Sequence, residues 1–128
     1  MTVIESLKQK RNFFSLNGAT DMEIEHAQKM LNLVFADDYI DYLRAFGLAS
    51  FEGHELTGIC AFTRLNVVDV TKRERDKMPS IAPDWYVIEE TNMDDVVIWQ
   101  DSVGGIYRTV ANTSTIKLCD SLIDYVNR

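Results

Sequence analysis

The feature that most constrains this chain is a pair of apolar runs joined by a turn. Val96-Val97-Ile98-Trp99 leads into Asp101-Ser102-Val103-Gly104-Gly105, and Ile106-Tyr107-Arg108-Thr109-Val110 follows. β-Branched and aromatic residues pack well on a pleated surface, and a short Asp/Gly turn returns such a run on itself. The pattern predicts an antiparallel hairpin. Trp85-Tyr86-Val87-Ile88 reads as another buried strand, with Pro79 and Pro83 bracketing the loop before it, and Ile116-Lys117-Leu118 as a last short one. Phe51 to Ile59, broken by Gly53 and Gly58, suggests short strands with a turn.

Helical signals dominate the first third. Val3, Ile4, Leu7 and Phe14 are spaced for the buried face of a first helix over roughly residues 2–12. Asn17-Gly18 reads as a turn. Thr20 with Glu23 forms a capping box for a second helix, whose buried face carries Ile24, Ala27, Leu31 and Val34. Asp37 or Asp38 opens a third helix with favourable charge at its N-terminus. Tyr39, Leu43 and Phe46 give it a stripe, and Gly47 ends it. Thr71 and Glu74 suggest another capping box before residues 72–77, and Ser121 with Asp124 the start of a closing helix. Helices lead, strands follow and one helix closes. The order predicts an α+β class, an antiparallel β-sheet flanked by helices.

At 128 residues the chain fits one domain, 1–128, with no repeat or linker-like segment. Its 46% hydrophobic and 26% charged residues are globular rather than disordered composition. No membrane-length apolar run occurs, and the first residues lack a signal-peptide pattern, so the expected location is cytoplasmic. Cys60 and Cys119 suit a reducing compartment as two inert buried thiols. The Asn112-Thr113-Ser114 triplet matches a glycosylation acceptor, which chance explains in such a chain.

The formal charge of −7 argues against direct nucleic-acid binding, which needs a basic surface. It suits a basic partner, although an ordinary acidic surface has the same composition. No basic residue falls between Lys77 and Arg108, whereas Asp84, Glu89, Glu90, Asp94, Asp95 and Asp101 all do. If these acids share one face, they form a patch that steers a cationic partner. Scattered carboxylates on unrelated loops are the alternative.

Equipment for catalysis is sparse. His26 and His54 belong to different predicted elements, and no CxxC pair, HExxH, GxSxG or phosphate-binding glycine loop occurs. Asp37, Asp38 and Asp41 lack the ligand alternation and glycine of a calcium loop. No metal and no cofactor are expected. The chain is read as a non-enzyme, with carboxylate-pair hydrolysis left as an alternative. Trp85 and Trp99 are read as core.

The order of motifs resembles the SUKH superfamily, which includes relatives of the yeast cell-wall synthesis regulator. Asp38-Tyr39 and Leu43-Arg44-Ala45-Phe46-Gly47 are similar to that family's Asp-Tyr helix and its glycine ending. Phe51-Glu52-Gly53-His54-Glu55-Leu56-Thr57-Gly58 resembles its F-x-G-x-x-I-x-G strand pair, and Val68-Asp69-Val70-Thr71 with Arg75 its helix entry. Trp85 to Glu89, Gly105-Ile106-Tyr107 and Cys119 to Val126 resemble its later strand, hairpin and closing helix. Phe35-Ala36 stands where the family usually has Leu-Pro, and Leu48 where a second glycine is common. The resemblance implies an antiparallel sheet with helices. It also implies a role as a bacterial immunity protein that neutralises a polymorphic or prophage-borne toxin, often a basic nuclease. A regulatory or scaffold module without a toxin is the second role that it implies, and the oligomeric state is left open.

Overall fold

The computed structural model describes residues 1–93, 95–111 and 115–128. Helix α1 (Val3–Lys8) opens the chain with a capping box between Thr2 and Glu5, so it is shorter than the spacing predicts. A two-residue strand β1 (Phe14–Ser15) follows, and Phe14, expected on the helix's buried face, is 57% exposed. Helix α2 (Asp21–Leu31) is capped by Thr20 and Glu23 as expected. It buries Ile24, Ala27 and Leu31, then ends at Asn32, whose φ of 54° is left-handed. That stop turns Val34 away from the helix face, and it is 61% exposed rather than buried.

Helix α3 (Asp37–Phe46) buries Tyr39, Tyr42, Leu43 and Phe46 and ends at Gly47, with φ of 68°. The Asn17-Gly18 step is not the expected turn. It runs past the end of α3, where a Cβ on Gly18 would lie 1.9 Å from the Arg44 carbonyl oxygen. Close approach of backbones, not a left-handed φ, requires glycine there.

Strands β2 (Ala49–Phe51) and β3 (His54–Glu55) form a hairpin through Glu52 and Gly53, both at positive φ. With β1 they make a three-stranded antiparallel sheet in the order β1-β2-β3. Helix α4 (Val67–Lys77) starts earlier than Thr71, because Asn66 caps it by accepting the Val68 N–H. Thr71 lies buried inside it, and its hydroxyl accepts the Val87 N–H at 3.0 Å. The supposed cap is therefore a tether between helix and sheet.

The second sheet is antiparallel and four-stranded: β4 (Tyr86–Glu90), β5 (Val96–Gln100), β6 (Ile106–Val110) and β7 (Thr115–Cys119), in sequence order. Helix α5 (Leu122–Val126), capped by Ser121, closes the chain. A bridge from Leu56 to Glu89 joins the two sheets edge to edge. The architecture is α+β, antiparallel sheets with helices on both faces.

The larger core lies on the face covered by α1, α2, α3 and α5, around Leu7, Leu31, Phe35, Tyr39, Ile88, Ile98 and Leu122. On the other face Val70 of α4 packs on Val87, Val97 and Trp99, so Trp99 is core as expected. Trp85 is only half-buried and stacks on Tyr107 at 4.0 Å between ring centroids.

The tyrosine, glutamine and aspartate groups of the larger core are paired, as burial demands. The Tyr86 hydroxyl accepts the Ala36 N–H and donates to Gln100. Gln100 donates to Asp38, whose other oxygen accepts the Leu122 N–H at 2.7 Å. Asp38 thus ties the start of α3 to β5 and to the first turn of α5. Cys60 and Cys119 are half-buried free thiols rather than fully buried, and burial raises both above the usual thiol range. The Asn112-Thr113-Ser114 triplet lies outside the described residues.

Candidate partner-binding face

The register of β4 against β5 decides where the acids point. Val87 pairs with Trp99, but Glu89 pairs with Ile98, so β4 carries one extra residue at Ile88. Such a bulge re-aims every side chain beyond it. Simple alternation would send Glu89 to the α4 face with Val87. Instead Glu89 turns to the larger core, and Glu90, opposite Val97, faces α4.

Glu89 is 3% exposed. Its carboxylate lies 2.9 Å from His54 Nδ1 and accepts the Tyr125 hydroxyl. Burial, then the Glu89 charge, raises the Tyr125 phenol well above its ordinary value. His54 stacks on Phe51, so this cluster ties the β2–β3 hairpin and α5 to the edge of β4. Glu89 is not a free surface carboxylate, and the expectation that it belongs to a docking patch is corrected by its burial.

Glu90 opens into a different space. A cleft of about 620 Å³ lies between the C-terminal end of α4 and the sheet. Glu74, Glu90 and Asp95 supply its carboxylates, and Val97 and Trp99 form its apolar floor. Glu74 reaches it because residues 67, 70, 71 and 74 follow the helical stripe that faces the sheet. Reading Glu74 only as a capping residue misses this, although the spacing was there to be used.

Glu74 pairs with Lys77 at 3.0 Å, and Glu90 with Arg73 at 3.0 Å. The Glu90 carboxyl is raised above its ordinary value, chiefly by burial and further by the neighbouring Glu74 carboxylate, while Arg73 pulls it down. Asp95 is exposed on the β4–β5 turn, where Asn92 and Asp95 both hold φ of 58°, a conformation these residue types tolerate. Asp94 lies outside the described residues.

Asp84 and Asp101 belong to a third place, the β5–β6 turn. Asp101 is buried and accepts the Val103 and Gly105 N–H groups and the Tyr107 hydroxyl. That last bond is the main reason the Tyr107 phenol is raised. Asp84 accepts from the Ser102 backbone and hydroxyl. Both carboxylates organise a turn. The described acids therefore do not form one patch: Glu90 and Asp95 share the cleft with Glu74, Glu89 is on the opposite face, and Asp84 and Asp101 are at the other end of the hairpin.

Among the described residues no group of three or more His, Cys, Asp or Glu is placed to hold a metal ion, and no helix is long and apolar enough to cross a membrane. Fold and site together define a small α+β domain with an open, carboxylate-rimmed cleft. The chain belongs to the SUKH family: the family model SUKH_5, described as SMI1-KNR4 cell-wall, matches residues 1–128. The resemblance read from the order of motifs is thereby borne out. No curated protein matches the chain.

Proposed function

We propose that this chain is an immunity protein that binds a cognate secreted toxin of the polymorphic or prophage-borne kind and blocks it by contact alone. The toxin is a basic nuclease, met in the cytoplasm. Whole-chain membership of the SUKH family is the observation that carries this reading. The cleft supports a basic partner, because Asp95 stands exposed on its rim above an apolar floor, and such a site accepts a cationic side chain along its aliphatic stem.

The chain acts without catalysis. Glu74 and Glu90, the paired carboxylates of the cleft, are each engaged by a cation of their own, Lys77 and Arg73, so neither stands free to act as a nucleophile or base. A regulatory module without a toxin is the second reading, and the cell-wall wording of the family description favours it.

The test is to sequence the adjacent reading frames and co-express this chain with any toxin domain they encode, scored by cell survival and by co-elution in size-exclusion chromatography. Survival together with a stoichiometric complex is the expected result. Cell death with no complex overturns the immunity reading and leaves the regulatory one.

A further inference from the structure

A second concavity lies away from the cleft, between α2 and the start of α4. It holds about 530 Å³. Met22, Ala27 and Met30 of α2 line one side, with Ile59 and Val68 opposite. Met22 is 82% and Met30 47% exposed, a high cost in apolar surface for two residues on one helix. Phe62, also exposed, belongs to the turn that closes on Asn66, another lining residue. Methionine is flexible and polarisable, so a methionine-lined surface adapts to apolar side chains of several shapes.

Glu23 and Asp69 line this groove together with His26, and no Lys or Arg does, so its two fixed charges are both negative. Asp69 is exposed in the first turn of α4, and among the described residues it has no hydrogen bond or ion pair. The other acids of α2 are engaged elsewhere: Asp21 with Arg44, and Glu25 with Lys29. An apolar trough with an uncompensated carboxylate at its edge complements an apolar anchor that carries a cation beside it.

We propose that this groove is a second docking site, taking a protein segment that presents one large apolar side chain next to a lysine or arginine. The proposal shares with the proposed function only the class of ligand, a protein, and does not need the toxin. Val68 and Met78, which line the groove and the cleft respectively, are ten residues apart along α4, about 15 Å at helical rise. The two sites are thus separable by probes at each end.

The full chain, labelled on methionine methyl groups, is titrated with two twelve-residue peptides. Each carries a central leucine anchor, flanked by lysines in one and by glutamates in the other. The lysine peptide is expected to move the Met22 and Met30 signals, with affinity about tenfold or more above the glutamate peptide. Met1 and Met93, exposed elsewhere, stay still. Met22→Gln with Met30→Gln removes binding, and Asp69→Lys reverses the preference between peptides, circular dichroism showing both variants folded.

Equal binding of the two peptides, or no movement of Met22 and Met30, overturns the proposal. So does movement of those signals with protein concentration alone, which marks a second copy as the occupant. Movement of Met93, on the turn beside the cleft, without Met22 sends the basic peptide to the cleft. The groove proposal then falls while the proposed function stands. Failure to protect against the toxin, with the peptide result intact, has the opposite consequence.

Discussion

Tyr42 illustrates how single atoms hold this fold. Its buried hydroxyl donates to the Thr57 carbonyl at 2.7 Å and accepts the Ala49 N–H at 2.9 Å. Phenylalanine there would leave two buried backbone groups without a partner, a loss of about 1–3 kcal/mol. Tyr39 is different, because it meets the Thr57 hydroxyl, which itself donates to the Val87 carbonyl. Its removal strands no backbone group. Urea denaturation should therefore rank Tyr42→Phe as clearly more destabilising than Tyr39→Phe, and equal midpoints would contradict this accounting of the core. Gly58 makes the sharper steric case. A Cβ there would stand 2.0 Å from the Gly47 carbonyl oxygen, and backbone cannot yield as a side-chain tip does. Gly58→Ala should cost roughly 3 kcal/mol or more, or prevent folding, read from the same denaturation curves.

At the scale of elements, β4 shows both what the sequence reveals and where it stops. Trp85 to Ile88 reads as a strand from its residue types, as do the runs of β5 and β6, because a buried strand has to supply β-branched and aromatic side chains, and the strand itself runs from Tyr86 to Glu90. The bulge at Ile88 has no such signature, yet it exchanges the faces of Glu89 and Glu90. Partners distant in sequence, such as His54 and Tyr125 around Glu89, were equally invisible. Thr71 misled for a related reason: a threonine three residues ahead of a glutamate looks like a cap whether it begins a helix or ties its middle to a strand. Of the five described acids, Glu90 and Asp95 fell together at the cleft, Asp84 and Asp101 at the β5–β6 turn and Glu89 apart from both, since charge counts along a chain carry no information about facing. The environment of Glu90 has a measurable consequence. Its pKa is raised in the folded protein, chiefly by burial. Its contribution to stability is therefore fully present below the ordinary carboxylate pKa and is lost as pH rises through the raised value. Wild type should lose stability relative to Glu90→Gln as pH rises above the ordinary carboxylate pKa of about 4. A difference that stays constant across that window, measured by chemical denaturation, would remove burial as the dominant influence on Glu90.

For the whole molecule, a net charge of −7 makes long-range attraction to a cationic partner unavoidable, but it does not say where the partner lands. The cleft does, through its local carboxylates. Asp95 is the residue to test, because it is exposed on a turn and its replacement leaves the core and the Glu89 cluster untouched. Charge reversal at a rim position acts on encounter more than on the docked complex. Asp95→Lys should slow association with the cognate toxin by about two- to tenfold at low salt, flatten the dependence of that rate on ionic strength, and leave dissociation nearly unchanged. Reversal of an exposed acid remote from the cleft, Asp37→Lys at the start of α3, makes the same change in net charge and serves as the control. Stopped-flow association across a salt series separates the two. If both variants slow association equally, net charge alone steers the partner and the cleft has no special part in the encounter. If Asp95→Lys alone does so, the short run of acids between Lys77 and Arg108 works through the few of its carboxylates that the bulge and the turn leave facing solvent.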